Sequence, residues 1–157
     1  MQHGEHQERV FTERQKRHQV SRFRLPSGIR HPHVMVRSNC LRLSGAVDLV
    51  VEGDNELVVV DFKTGRDATW DNHRVQVAAY ALMAEERFRK PCLRGYVLYR
   101  ESRHWVEVEV NESLRQRTLD LLRQLRETMN HGLFPDPTHV SGRCRNCEFL
   151  NFCGDRW

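Results

Sequence analysis

The hydrophobic pattern along the chain alternates between helix-like and strand-like segments. A charged segment with scattered apolar positions predicts a helix over residues 5–24, which Pro26, Gly28 and Pro32 then interrupt. Alternating or continuous short apolar runs predict five strands, at residues 33–40, 43–51, 57–60, 93–100 and 105–110. The order of helix, three strands, helix, two strands and helix is typical of a mixed sheet flanked by helices, in an α/β or α+β domain.

Two later helices are predicted from a helical repeat of apolar positions. In the first, over residues 71–87, apolar side chains recur one or two turns apart at Val75, Ala79, Leu82 and Met83. In the second, Asn111 is placed to cap the start and Gly132 to end the helix. We expect its apolar stripe to consist of Leu114, Leu121, Leu122, Leu125 and Met129.

Length and composition indicate a folded domain. The chain has 157 residues, of which 39% are hydrophobic and 29% charged, and this balance argues against wholesale disorder. The longest apolar run, residues 77–84, is too short to span a membrane. The first residues lack the apolar segment of a secretory signal. We therefore expect a cytoplasmic protein that does not associate with membranes.

Positive charge is concentrated in the first third of the chain. Residues 1–45 have nine Lys or Arg against three acidic residues, whereas the remainder has sixteen against eighteen. Arginine predominates among the basic residues, and its planar guanidinium suits phosphate geometry. This distribution is compatible with binding to nucleic acid or another anionic surface, and equally with a solvated helix face.

Three of the five cysteines lie close together near the C-terminus. Cys144, Cys147 and Cys153 have the spacing C-x2-C-x5-C within ten residues. In a reducing compartment, clustered thiols indicate metal ligands before disulfides. The last residues are too few for a core of their own, so we expect a metal to stabilise them. The predicted organisation is a main domain over residues 1–137 and a Cys-rich tail over residues 138–157.

Two acidic residues lie inside or at the end of apolar strands, where charge is costly. Asp48 lies within one strand, and Asp61 and Lys63 end the next. Strand side chains alternate, so Asp61 and Lys63 project to the same side, and Asp48 joins them if the strands pair around the turn at Gly53. Adjacent carboxylates repel unless a cation such as Mg²⁺ or Mn²⁺ lies between them. These are the parts of a metal-assisted phosphodiester hydrolase; a turn cap and a surface ion pair are the alternative.

Polar residues also follow one face of the helix at residues 71–87. Gln76 and Tyr80 lie one turn apart, and His73 lies on the same stripe. A polar stripe beside an apolar one favours a supporting role at the same site. The alternative is a solvated glutamine and a tyrosine at the edge of the core.

The strings GAVD, LVVVDFKTG and QVAAY, followed by the three-cysteine tail, resemble the RecB-like branch of the PD-(D/E)xK nucleases. More narrowly, they are similar to the CRISPR-associated RecB-family exonucleases of spacer acquisition, over about residues 43–153. The resemblance implies a restriction-endonuclease-like core. It also implies that Asp48, Asp61 and the carbonyl of Phe62 bind the metal, that Lys63 is catalytic, and that Gln76 supports the site, with Tyr80 closing the motif.

The resemblance further implies a histidine ligand to the catalytic metal on the first helix. His6 is the candidate for this ligand, and His3 is the second choice. The gap between Gly4 and His6 is narrower than is usual in the family.

A [4Fe–4S] cluster is implied for the tail, with Cys144, Cys147 and Cys153 as three ligands and a fourth cysteine upstream of the first helix. No cysteine precedes Cys40. We therefore consider an incomplete N-terminus, a fourth ligand from Cys40 or a non-cysteine residue, or a zinc site completed by His139. Cys92 is predicted to be a small buried hydrophobic residue.

The function implied by the resemblance is a Mg²⁺- or Mn²⁺-dependent DNA exonuclease that processes DNA before CRISPR spacer integration. It would act 5′ to 3′ on single-stranded ends and in some cases endonucleolytically. Its partners would be DNA with single-stranded ends or overhangs and the CRISPR integrase proteins. A RecB-like module of recombinational repair and a non-catalytic DNA-binding scaffold are alternatives, and the intact Asp48, Asp61 and Lys63 argue against the scaffold.

Overall fold

The structure, a computed structural model, describes residues 25–64 and 71–133 together with Cys144 and Cys147. The helix predicted over residues 5–24, with His3 and His6, lies outside the described residues, as do His139 and Cys153. The chain separates into two compact units, Met1–Leu119 and Asp120–Trp157.

The first unit contains a five-stranded mixed sheet whose strands lie in sequence order. Strands β1 (Ile29–Ser38), β2 (Leu43–Glu52) and β3 (Leu57–Lys63) pair antiparallel in succession. Helix α1 (Asp71–Phe88) then leads to β4 (Arg94–Tyr99), which is parallel to β3, and β5 (His104–Glu109) pairs antiparallel with β4. Helix α2 (Glu112–Asn130) follows. The predicted mixed sheet with flanking helices is confirmed.

The largest difference from the predicted boundaries is in β1. This strand begins at Ile29 and runs through Pro32, where the sequence predicts an interruption. Proline is tolerated because β1 is an edge strand, so the missing N–H removes no bond to a second neighbour. Cys40 lies in the turn after β1 and not in the strand as predicted.

Both faces of the sheet bury apolar side chains. In β3, Val59 packs on the face that α1 covers, whereas Val58 and Val60 belong to a second apolar cluster on the opposite face. Burial on both faces explains why β3 is a continuous apolar run in the sequence.

Helix α1 lies close to the sheet and turns a different face to it than predicted. Its buried residues are Val77, Ala78, Ala81, Met83 and Ala84, and the predicted stripe through Ala79 and Leu82 is only partly buried. Gly95 of β4 makes room for this approach, since a Cβ there would lie 2.5 Å from Cγ1 of Val77. The close packing brings the first turns of α1 near the end of β3.

Helix α2 begins and ends as predicted, but its apolar stripe is buried only at the start. Asn111 Oδ1 accepts the N–H of Leu114 at 3.0 Å as an N-cap, and Gly132 follows the helix with a φ of 61°. Leu114 and Thr118 are buried, whereas three later apolar side chains are exposed: Leu121, Leu125 and Met129. No described helix is both long enough and apolar enough to cross a membrane.

Candidate functional site

The candidate site lies where β2 and β3 stop pairing. The last paired residues are Leu49 and Val60, and the same register places Asp48 level with Asp61. Beyond this point the carboxylate of Asp48 accepts the N–H of Phe62 at 2.7 Å. A hydrogen bond from the backbone of β3 to the Asp48 side chain therefore replaces the backbone–backbone hydrogen bonds of the ladder. It holds the carboxylate of Asp48 beside β3.

The β1–β2 ladder is irregular at the same level. His33 and Asp48 are missing from the sequence of paired residues, and His33 has a φ of 51°, a conformation that costs an L-residue about 1–2 kcal/mol. The alternation of side chains between the two faces of β2 shifts by one residue here. Val47 and Val50 both belong to the apolar cluster under α1, although their positions differ by an odd number of residues, and Leu49 belongs to the cluster on the opposite face. This local break in the alternation lies at the residue whose side chain turns to β3.

A series of polar contacts connects Asp61 to helix α1. Lys63 Nζ forms an ion pair with Asp61 Oδ2 at 3.0 Å and donates a hydrogen bond to Gln76 Oε1 at 2.8 Å. Gln76 Nε2 in turn donates to the hydroxyl of Tyr80 at 3.1 Å. The period of two in β3 and of one turn in α1 bring these four predicted residues together.

Gly45 joins the G-x-x-D segment to the same unit. The ring of Tyr80 lies so close to β2 that a Cβ on Gly45 would be 3.1 Å from Tyr80 Cε1. Glycine here permits close approach of a side chain to the backbone. The ring packed on Gly45 places its hydroxyl at Gln76, and through Gln76 it restrains Lys63. No local pattern in the sequence predicts this link, because it depends on how closely α1 packs against β2.

His73 and Tyr99 also lie at this end of the sheet. Tyr99 is buried, is the register partner of Lys63, and its hydroxyl lies 3.3 Å from Nδ1 of His73. The sequence places His73 on the polar stripe of α1, but it gives Tyr99 no role. The feature that could have indicated a role for Tyr99 is its position as the last residue of β4, the strand that is parallel to β3.

Burial is the main influence on Asp61. Asp61 is only 4% exposed, and desolvation raises its pKa above the usual value. Lys63 and then His73 act to lower that pKa, while the Asp48 carboxylate raises it further. Lys63 Nζ lies 3.0 Å from Asp61 Oδ2 as an ion pair, and no other donor among the described residues satisfies that oxygen.

A divalent cation fits this arrangement. A buried carboxylate oxygen whose charge is only partly compensated, next to a second carboxylate, is stabilised by a hard cation. Asp48 and Asp61 supply two oxygen ligands of the predicted kind. Among the described residues, no three His, Cys, Asp or Glu side chains are grouped to hold a metal, and His6 lies outside them. The carbonyl of Phe62 stays a predicted ligand.

The described cysteines fall into different environments. In the second unit, Cys147 N–H donates to the carbonyl of Cys144 at 3.2 Å, and neither of these two thiols is in a disulfide. Cys40 is exposed in the first unit. Cys92 is buried as predicted, and burial raises the pKa of its thiol to about 12, which makes it unreactive.

Comparison with known proteins agrees with the motif at the end of β3. A sequence profile described as the PD-(D/E)XK nuclease superfamily matches residues 2–154. The chain is 31% identical over 153 residues to the CRISPR-associated exonuclease Cas4 of Francisella tularensis subsp. novicida, which covers 98% of this chain and 77% of that protein. The chain belongs to the PD-(D/E)XK nucleases and to their Cas4 family.

Other relatives of this Cas4-family chain are longer proteins. The CRISPR-associated exonuclease Cas4 of Rhodospirillum rubrum is 32% identical over 121 residues, which are 74% of this chain but 36% of that protein. A CRISPR-associated exonuclease Cas4/endonuclease Cas1 fusion of Leptospira interrogans is 26% identical over 123 residues, again 74% of this chain and 23% of the fusion. The predicted family is confirmed, and the assignment of its D-x-K motif to Asp61, Phe62 and Lys63 stays a prediction.

We expect Asp61→Asn to stabilise the metal-free protein at neutral pH. Because the pKa of Asp61 is higher in the folded state, its protonated form favours folding. This contribution to the free energy of unfolding is complete below the unfolded pKa near 3.8, and it is lost as pH rises through the folded pKa. Asparagine mimics the protonated side chain at every pH. Its stabilising effect should therefore be absent at about pH 3.5 and grow as pH rises toward 7.

Thermal unfolding without divalent metal, across that pH range, measures this effect. The exposed turn residue Asp54, changed to Asn, is the matched control. Added Mn²⁺ should raise the melting temperature of the wild type and of Asp54→Asn, but not that of Asp61→Asn. An Asp61→Asn variant that is equally destabilised at every pH would contradict the assignment of an incompletely compensated buried charge.

Proposed function

We propose that this chain is a divalent-metal-dependent DNA exonuclease that trims single-stranded ends before CRISPR spacer integration. The observation that carries the proposal is the buried, incompletely satisfied carboxylate of Asp61 beside Asp48 and Lys63. Membership of the PD-(D/E)XK nucleases supports phosphodiester hydrolysis. The name of the Francisella relative supports exonuclease activity in a CRISPR system.

Asp48 and Asp61 would hold Mg²⁺ or Mn²⁺, with the Phe62 carbonyl and His6 as further ligands. When bound, such an ion supplies activation of a water and stabilisation of charge on the phosphate. The N–H of Phe62 fixes the Asp48 carboxylate, so one ligand is oriented before the metal arrives. The position of Asp61 at the end of a buried strand fixes the other.

Lys63 would bind the phosphate that is attacked. Its ammonium has three donors; Gln76 accepts one, and the ion pair with Asp61 directs the group toward the carboxylates. A remaining donor can stabilise negative charge that develops on a phosphate oxygen. Gln76 and Tyr80 act as positioning residues, because Gln76 binds the lysine and Tyr80 binds Gln76.

The proposed partners are DNA with single-stranded ends or overhangs and a CRISPR integrase. The Leptospira relative, named as a fusion of exonuclease Cas4 and endonuclease Cas1, supports the integrase as the protein partner. A role in recombinational repair stays the alternative, and recovery of repair helicase subunits from the native host would favour it. The assembled contacts of Asp61, Lys63 and Gln76 argue against a purely non-catalytic scaffold.

We expect Lys63→Ala and Asp61→Ala each to lower the rate of DNA cleavage by about 10²–10³-fold, because each removes a charge that acts on the reacting phosphate or its metal. Gln76→Ala should cost only about tenfold, since Lys63 loses a restraint but keeps its charge. Cleavage of single-stranded DNA labelled at either end, with Mn²⁺, measures both the rate and the polarity.

Lys90→Ala is the control for the loss of a lysine. Lys90 binds Glu52 at 2.8 Å at the opposite end of β2, so its removal should leave cleavage unchanged. Circular dichroism should be the same for all variants. Cleavage by Lys63→Ala at the wild-type rate would refute the catalytic assignment.

We propose a [4Fe–4S] cluster in the tail, residues 138–157, with Cys144, Cys147 and Cys153 as three ligands. The hydrogen bond between the backbones of Cys144 and Cys147 holds these two residues near each other, and this proximity and their free thiols support a metal there. Cys40 or a non-cysteine residue is the candidate for the fourth ligand. Zinc bound by the same three thiols and His139 is the alternative.

Anaerobically purified protein should contain about four iron and four sulfide per chain and absorb visible light. The Cys147→Ser variant should lose the iron and the sulfide. The Cys92→Ala variant should keep them, because the Cys92 thiol is buried in the core and is not a proposed ligand. One equivalent of zinc without iron or sulfide would show that the cluster assignment is wrong.

A further inference from the structure

A basic cavity lies at the tip of the β1–β2 hairpin. It has a volume of about 220 Å³ and is lined by Arg37, Ser38, Asn39, Arg42, Leu43 and Ser44. Its lining combines two guanidinium groups, an amide and hydroxyls, and it contains no acidic side chain. We call this cavity the hairpin pocket. Its donors suit an anion with several oxygen atoms.

The turn that forms the hairpin pocket is held by its own hydrogen bonds. The buried hydroxyl of Ser38 accepts a backbone N–H of the turn at 2.9 Å, and Arg42 N–H donates to the carbonyl of Asn39 at 3.2 Å. The backbone N–H of Asn39 donates to Glu86 of α1 at 3.3 Å. Within residues 25–64 and 71–133, neither Arg37 nor Arg42 has a salt-bridge partner, so both charges are available to a ligand.

Arg42 occupies a backbone conformation that disfavours arginine. Its φ is 44°, in the left-handed region where glycine or asparagine is adopted at lower cost. Folding alone would therefore favour another residue at this position. Arg89 and Arg103 have similar φ values, so this conformation alone assigns no function; Arg42 differs from Arg89 and Arg103 because it lines the hairpin pocket.

The hairpin pocket lies at the same end of the sheet as Asp48, Asp61 and Lys63. Because β2 is antiparallel to β3, the start of β2 lies beyond the end of β3. Leu43 precedes Asp48 by five residues, which is about 17 Å along an extended strand. A nucleic acid strand with a rise of about 3.4 Å per nucleotide covers that distance in about five nucleotides, and a stretched strand in fewer.

We propose that the hairpin pocket binds a backbone phosphate of the DNA substrate, up to about five nucleotides from the bond that is cleaved. This proposal rests on the proposed nuclease function, which supplies the DNA. Arg37 and Arg42 bind the phosphate oxygens, and Asn39 and Ser44 supply further donors. The contact gives affinity and register without reading the base sequence.

Binding of labelled 12-nucleotide single-stranded DNA, without divalent metal, tests the proposal through Arg37→Gln, Arg42→Asn and the double variant. The double variant should bind about tenfold more weakly, and its slope of log affinity against log salt should be smaller by about 0.7. Arg42→Asn should melt at the same or a higher temperature, because asparagine accepts the left-handed conformation.

Arg89→Asn is the matched control. Arg89 is exposed, has a φ of 58°, and follows Phe88, whose ring packs 5.0 Å from that of His31 near the other end of β1. The control removes the same charge from the same backbone conformation, and it should leave binding unchanged. Equal weakening by Arg89→Asn and by the pocket variants would mean that only net charge matters and would overturn the proposal.

The dependence of cleavage on substrate length gives a second readout. With the wild type, KM should fall as the oligonucleotide grows from about 3 to about 8 nucleotides, when it becomes long enough to reach the hairpin pocket. The double variant should lose this dependence while kcat on long DNA is kept. If it binds and cleaves as the wild type does, the pocket assignment is wrong and the nuclease assignment stands. A wild type that neither binds nor cleaves DNA refutes both.

Discussion

The buried negative charge of Asp61 is the constraint on which the rest of the site depends. The negative charge of a carboxylate that is only 4% exposed must be compensated. The ion pair with Lys63 compensates the charge of Asp61 in part. That lysine is fixed by Gln76, and Gln76 by Tyr80. In the proposed function, the remaining imbalance would give the site its affinity for a cation. Substrate chemistry would then depend on a buried charge that is unfavourable for folding.

Two features of the sheet allow this charge to be placed. Pairing of β2 with β3 ends at Leu49, the residue after Asp48. The Asp48 carboxylate instead accepts a hydrogen bond from the backbone N–H of Phe62. On the other side, Gly45 lets the ring of Tyr80 approach β2 closely. The D-x-K segment, the G-x-x-D segment and the Q-x-x-x-Y segment are therefore parts of a single packed unit. Loss of one contact should be felt at the lysine even where the carboxylates stay in place.

Much of the site follows from two periodicities in the sequence. The period of two puts Asp61 and Lys63 on one side of β3, and the helical period puts Gln76 and Tyr80 on one face of α1. Convergence of Asp48 with Asp61 follows from pairing around the turn at Gly53. The family resemblance adds the expected roles of these residues, which geometry alone does not assign.

Other features depend on tertiary contacts that no local pattern contains. The buried face of α1 differs from the predicted stripe because its alanines fit either face, and Gly95 decides which one approaches the sheet. Pro32 is compatible with β1 only because that strand lies at an edge, which the sequence does not reveal before the strand order is known. The break at His33 and Asp48 arises where two ladders are interrupted together.

The most direct test of a cation site at Asp61 is anomalous diffraction from crystals of this protein soaked in Mn²⁺. We expect a manganese peak about 2.1 Å from carboxylate oxygens of both Asp48 and Asp61, and no such peak in crystals of Asp61→Asn. Active protein whose crystals show no manganese between these two carboxylates, with Lys63 still paired to Asp61, would contradict it.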